Sequence, residues 1–269
     1  MASEISTKYL CTFYNTVTWN RAKDFLKKPA NVFIVLGNSG LLVSKVETLC
    51  NLQLSTVVDF KKMGGSLSGF VDIWELKLAV ASLDKFFKNA YEALTSDKEK
   101  TAERFFKELS IPACNVISHG SNVLDYLYGI GAIKDASIDG ILTLGKTVGI
   151  ISKANNIYES YLEWSNGPDL SKVNEKKKEE YNILHNISQI QGTIFNGSII
   201  AFKLIGLLKI AIRQGVVGKI PVEICRRTTY LIHSQAANLS LFFFTTFTVS
   251  MVSLHFIKEH MKDLEKEKN

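Results

Sequence analysis

The chain has little proline: four residues in 269, with 17 glycines. An interior proline costs a helix about 3 kcal/mol, so this scarcity leaves long stretches free to be helical. Cysteine is also sparse. Cys11, Cys50, Cys114 and Cys225 are far apart, with no CxxC pair and no histidine at ligand spacing. That excludes a disulfide framework and a zinc site, and makes a reducing compartment the default. The first ten residues lack a basic stretch followed by an apolar one, so no secretory signal of the usual kind is expected. Dense basic stripes with interleaved aromatics are missing too, which argues against nucleic acid as a partner. The net charge of +6 comes from lysines and arginines spread along the chain beside acids, as in Glu175-Lys176-Lys177-Lys178-Glu179-Glu180, which reads as a solvated helix face.

Apolar residues, at 46%, are abundant enough for a sizeable core, and charged residues at 22% rule out a disordered composition. Between Pro29 and Gly64-Gly65, Val35, Leu42, Val46 and Leu49 recur at helical spacing. Ser68 is the expected N-cap of the next helix, with Phe70, Ile73, Trp74, Leu83, Phe86 and Phe87 on its apolar stripe and an end near Thr95-Ser96-Asp97. A short charged helix over residues 99–109 is expected to stop at Pro112. An apolar stretch then runs to a break at Gly129 and Gly131, and a further helix carries Ile138, Ile141, Leu144, Val148, Ile151, Ile157 and Leu162. Ser165-Asn166-Gly167-Pro168 is the clearest stop signal, a glycine at a C′ position followed by proline. A domain boundary is placed there. It divides a helical body, residues 1–167, from a C-terminal part, residues 168–269, that opens with a charged helix after Asp169 and Ser171.

Two uncharged runs mark the C-terminal part. Residues 186–202 are 17 positions without a charge, and the apolar pattern continues to Ile212, interrupted by Lys203 and Lys209. Residues 236–257 are 22 positions without Asp, Glu, Lys or Arg, about the length that crosses a ~30 Å hydrocarbon core. Asn238, Ser240, Thr245, Thr246, Thr248, Ser250 and Ser253 make this run polar for an anchor. Such side chains can bond back to their own helix and pair across helices in lipid. The rival reading is a central helix of a soluble bundle, apolar all round because it is buried all round. Lys203 would cost ~3 kcal/mol at the centre of a spanning helix unless it snorkels or pairs. Basic residues flank both runs about equally, so the sequence sets no orientation.

One string imitates a phosphate loop. Gly140-Ile141-Leu142-Thr143-Leu144-Gly145-Lys146-Thr147 fits G-x-x-x-x-G-K-[ST], through Gly140, Gly145, Lys146 and Thr147. Three of its four middle positions are Ile or Leu, the preceding residues form no buried strand, and one helical stripe runs through the motif, so it reads as a decoy. The five histidines share no spacing; His255 and His260 are five apart, too far round a helix for easy co-ligation. No Gly-x-Ser-x-Gly elbow or acid–base pair of carboxylates stands out, and Cys114 and His119 lie too near each other in sequence to argue a catalytic pair. No enzymatic activity, cofactor, metal or catalytic residue is expected.

The Ser/Thr-rich start, the helical body and the paired hydrophobic runs resemble the layout of chlamydial inclusion membrane (Inc) proteins. Phe25-Leu26-Lys27-Lys28-Pro29-Ala30-Asn31 is similar to an N-terminal segment in that family. The resemblance implies type III export, insertion of two helices into a vacuole membrane and recruitment of host proteins. The connection between the runs, residues 213–235, is longer than the family's. A second resemblance, carried by Gly129-Ile130-Gly131 and Tyr161-Leu162-Glu163-Trp164, is to peroxins that remodel organelle membranes. The expectation is therefore an all-α multi-helix bundle with a C-terminal pair of long hydrophobic helices. It would be membrane-associated, tether or remodel a membrane, and recruit protein partners, a second copy of itself among the candidates. The alternatives are a soluble helical effector or scaffold whose C-terminal runs form its core, and a nucleotide-binding protein using Lys146.

Overall fold

The computed structural model describes residues 2–50, 60–95, 102–134, 138–219 and 221–267. Among them there is no strand, and nine α-helices follow in order: α1 (Ala2–Thr16), α2 (Trp19–Leu26), α3 (Pro29–Cys50), α4 (Phe60–Thr95), α5 (Ala102–Gly129), α6 (Ile138–Asn166), α7 (Lys178–Arg213), α8 (Glu223–Ser234) and α9 (Ala236–Lys266). The fold is an all-α bundle with long C-terminal helices. Six of the helices, each of 22 or more residues, run up and down in sequence: α3 packs on α4, α4 on α5, α5 on α6, α6 on α7 and α7 on α9. The cycle closes where α9 returns to α3, with the Thr245 hydroxyl donating to Asn38 Oδ1 at 3.1 Å.

Glycine sets the turns between these helices. Gly131 and Gly215 adopt φ of 77° and 69°, a region most L-residues avoid. After α5, Ala132 N–H bonds Leu127 O at 2.9 Å and Gly131 N–H bonds Tyr128 O at 3.0 Å. After α7, Val216 and Gly215 make the same pair of bonds to Ala211 and Ile212. Both are Schellman closures, which satisfy the last carbonyls of a helix. Gly167, with φ of 71°, ends α6 as the sequence indicates, and Pro168 follows it. The chain there turns between two helices that lie side by side.

Several expected boundaries differ. Gly64-Gly65 and Ser68 lie inside α4, so Ser68 does not start it. Pro112 lies inside α5, joining the short charged helix and the apolar stretch after it into one. A proline in a helix interior forgoes one backbone bond, a cost that neighbours on both sides of a bundle can carry. The charged segment after Asp169 is not one helix. Asp169 caps a 3-10 turn, Leu170–Lys172, and Asn174 caps another, Glu175–Lys177, before α7 begins. The Asp169 carboxylate is held below its usual range by hydrogen bonds from the Ser171 hydroxyl and backbone N–H. The expected end of α4 at Ser96-Asp97 lies outside the described residues.

Apolar cores sit at the two ends of the bundle. At the first, Val173, Tyr181, Leu184, Ile257 and Leu264 are buried together, with Phe13 of α1, Leu170, Ile187 and Met261 against them. Here α2 is tied down through Arg21, which donates to Asp263 at 3.0 Å and contacts the His260 ring at 2.6 Å. His260 in turn meets Glu180 at 3.0 Å. At the second end, Ile138, Leu142 and Ile210 pack with Leu124, Tyr128 and Ile133. Leu184 and Ile210 are separated by about 40 Å of α7 at 1.5 Å per residue. What fills the interior between them is mostly polar.

Candidate functional site

The same short pattern occurs on two neighbouring helices: Lys146-Thr147-Val148-Gly149 on α6 and Lys203-Leu204-Ile205-Gly206 on α7. Three residues apart, each Lys and Gly share a helix face. The structure brings the two faces together with reciprocal contacts. A Cβ on Gly206 would stand 2.9 Å from Lys146 Cδ and Cε, and one on Gly149 would stand 2.6 Å from Lys203 Cε. Each lysine stem therefore lies across the other helix's glycine, in a space that no side chain could share. Both lysines are only 6% exposed.

This crossing belongs to a long antiparallel seam. From one end to the other, Asp139 meets Arg213, Leu142 packs with Ile210, Lys146 meets Gly206, Gly149 meets Lys203, Ser160 faces Gly192, and Glu163 accepts from Gln189 at 3.1 Å. The residue numbers in every pair have the same sum, as an antiparallel register requires. On α6 the first four of these positions recur at intervals of three and four, the spacing of helices packed at a shallow angle. In a soluble coiled coil those positions would be apolar. Here they are mainly charged, small or hydroxyl-bearing.

The lysines find their partners on α5, which supplies a third polar face. Lys146 Nζ donates to Asp125 Oδ2 at 2.5 Å. Lys203 Nζ donates to Ser118 Oγ at 3.0 Å and to Asn122 Oδ1 at 3.4 Å. The other side of the Asn122 amide, Nδ2, donates to Asp72 Oδ1 on α4 at 2.9 Å. Asn122 thus links a cation on α7 to an anion on α4 through one planar group. Lys153 on α6 and Glu75 on α4 are near enough to feel each other's charge. Close approach of α5 and α6 depends on Gly145, where any Cβ would overlap Ser121, and Ser121 instead donates to Ser118 O at 2.9 Å. Near the end of the seam, Arg213 pairs with Asp139 and lies 5.0 Å from the centre of the Tyr128 ring. Four helices are joined in this way by charge and hydrogen bonds.

The phosphate-loop string is explained by this seam. Gly140, Gly145, Lys146 and Thr147 all lie within α6, where the N–H groups of Gly145, Lys146 and Thr147 are spent on the helix's own carbonyls four residues back. They cannot turn together to wrap a phosphate. Gly145 is a close-approach point against α5, Lys146 is paired with Asp125, and Gly140 and Thr147 are exposed. Histidines are not gathered. His255 contacts the Arg21 carbonyl at 3.1 Å and sets its ring against Phe25, whereas His119, His185 and His233 lie apart on α5, α7 and α8. Among the described residues no group of three or more His, Cys, Asp and Glu is placed to hold a metal ion. The four cysteines are free, and all but the half-buried Cys114 are exposed.

Outside, the polarity is reversed. Ile141, Leu144, Ile151 and Leu162 of α6, Ile190, Ile194, Phe202 and Leu204 of α7, and Phe242 and Val249 of α9 are exposed. Three helices are long and apolar enough to cross a membrane by length and composition: Pro29–Cys50, Glu175–Arg213 and Ala236–Lys266, with mean hydropathies of 1.4, 1.7 and 1.6. Less than a third of each apolar stretch is buried inside the protein. The run ending at Ile257 is thus not enclosed by neighbouring helices; Phe242 on it is 62% exposed. The sequence marks two of the three candidate spans and requires Lys203 to snorkel or pair, without naming its partners on α5. The Lys-x-x-Gly spacing shared by the two helices also occurs at Lys61–Gly64 and Lys62–Gly65 on α4, so only the packing of α6 on α7 locates the seam. No family model matches the chain, and no curated protein or solved structure is significantly similar to it.

Proposed function

We propose that this chain is a non-enzymatic protein embedded in a membrane, which tethers or shapes that membrane and recruits protein partners through its water-exposed end. One observation carries the reading: along the middle of α6, α7 and α9, large apolar side chains such as Leu144, Phe202 and Val249 face outward while Lys146, Asn196, Lys203 and Ser250 are buried. In water this arrangement wastes apolar surface and desolvates charge. In hydrocarbon it is the economical one, because small and polar residues hold helices together where no hydrophobic drive exists between them. Lys203, which would be expensive if it faced lipid, is supplied with Ser118 and Asn122. The partner-binding end under this reading is the one built from α1, α2 and the two 3-10 turns, where charge pairs lie outside an apolar core. The resemblance in layout to inclusion membrane proteins is what suggests a vacuole or organelle membrane as the setting. A soluble helical scaffold would need its outward apolar faces covered by another protein.

Alkaline carbonate extraction of a membrane fraction tests the reading. Retention in the pellet is expected, and full release to the soluble phase overturns it. A second reading, passage of a small polar solute, draws on the ionisable residues Asp139, Lys146 and Lys153, spaced every seventh position along the inner face of α6. Flux of ions or protons through reconstituted vesicles, abolished by Asn122→Leu, would favour it. Sealed vesicles would remove it.

A further inference from the structure

Resting on the membrane reading, we infer that α8 is an in-plane helix that lies on the membrane surface and contacts anionic phospholipid headgroups. Its sequence, Glu223-Ile224-Cys225-Arg226-Arg227-Thr228-Thr229-Tyr230-Leu231-Ile232-His233-Ser234, is two-sided. At 100° per residue, Ile224, Cys225, Thr228, Leu231 and Ile232 share one arc. Arg226, Tyr230, His233 and Glu223 occupy the opposite side, with Arg227 at its edge. A helix built this way ordinarily buries its apolar arc. This one does not: no residue of α8 is buried, Ile224 is 76% exposed and Leu231 is 65% exposed. Val216 and Val222, just before it, are exposed as well.

Position names the occupant. The chain leaves α7 through the Gly215 turn, makes a 3-10 turn at Val217–Lys219 pinned by the buried Val217, and enters α8 after Pro221. From α8 it passes into α9 through the single residue Gln235. Both ends of α8 are thereby fixed to the ends of two helices that the proposed function places across the bilayer. Twelve residues span about 18 Å, too short for a ~30 Å core. The place left for its apolar arc is the boundary between headgroups and acyl chains, where a two-sided helix lies flat. Charge then selects the lipid. Glu223 is shared between Arg226 and Arg227, so one carboxylate offsets one of two guanidiniums. Lys219, at the end of the 3-10 turn before α8, adds a further exposed cation to this connection. Guanidiniums at the flank of a surface helix face phosphate oxygens, which they bind in bidentate fashion.

Cys225 lies on the apolar arc and is exposed, so the protein carries its own reporter. The full chain with Cys11→Ser, Cys50→Ser and Cys114→Ser is labelled at Cys225 with an environment-sensitive fluorophore. It is reconstituted into phosphatidylcholine vesicles with and without phosphatidylglycerol. We expect quenching by a shallow nitroxide-labelled lipid to exceed quenching by aqueous iodide several-fold. Phosphatidylglycerol should deepen that difference, and Arg226→Gln with Arg227→Gln should abolish the dependence on it. A companion chain lacking all four native cysteines and carrying Val249→Cys reports on the outer face of α9. Lipid quenching at position 249 with water-type quenching at Cys225 overturns the inference alone. Water-type quenching at both positions overturns the membrane reading and the inference with it. Lipid quenching at Cys225 that ignores phosphatidylglycerol overturns the anionic preference. Should the triple serine chain not reconstitute, restoring Cys114 and subtracting the signal of the same chain with Cys225→Ser isolates the label on α8.

Discussion

The end of the bundle capped by α1 and α2 and the seam between α5, α6 and α7 are built on opposite rules. At the capped end, Leu184, Ile257 and Leu264 are buried while Lys8–Glu179 and Arg21–Asp263 pair outside them. That is how a protein in water distributes its residues. In the seam, Lys146, Lys203 and Ser121 are buried while Ile141, Leu144 and Phe202 face out. One chain uses both rules, and α7 passes from one to the other along its length. The difference teaches that burial alone does not report the solvent; which residue types are left outside does.

The largest effect should come from breaking the seam at its link. Asn122→Leu leaves Lys203 and Asp72 without their shared amide, a loss of about 3 kcal/mol or more for interior charges. Purified in detergent, the variant should unfold well below the parent in a thermal melt, whereas Asn122→Gln, which keeps both an acceptor for Lys203 and a donor for Asp72, should lose less. The capped end is tested by Leu184→Ala, expected to cost about 2–5 kcal/mol through the cavity it leaves. The comparison sharpens if that cost is the same in detergent and in lipid vesicles, because the Leu184 site does not depend on the bilayer. Third is the outer face. Val249→Arg removes little that touches protein, so in a water-facing protein it should shift stability by no more than about 0.5 kcal/mol. Against lipid it should cost about 3 kcal/mol at mid-helix, read as a fall in the membrane-inserted fraction. The smallest effect is at Asp169→Ala, which removes the cap of a short exposed turn and should lower the melting temperature only slightly. Because the folded state holds the Asp169 carboxyl below its usual range, this contribution is present at neutral pH. It is lost as pH falls through the folded value, so the variant and the parent should converge in acid.

Local rules were sufficient for part of this structure. The all-α fold, the stop at Gly167-Pro168 and the helical character of the phosphate-loop string follow from glycine, proline and apolar spacing within one segment. Reading along the chain fails where a helix runs through residues that disfavour it: Pro112 and Gly64-Gly65 sit within helices. The seam was hidden for another reason. Its meaning depends on α5, α6 and α7 facing one another, and a lysine in an apolar run looks like a defect until the glycine opposite it is known. The Lys-x-x-Gly spacing does not single it out, because Lys61–Gly64 and Lys62–Gly65 repeat the spacing on α4.

The crossing of the two lysines over the two glycines also limits how these helices can move. A slip of α7 along α6 by three residues, about 4.5 Å of rise, would set Lys146 opposite Lys203 in one direction and opposite Lys209 in the other. Either way an ammonium group would meet another ammonium group in place of a bare backbone. Travel of α7 by this three-residue step is thus opposed in both senses by like charge.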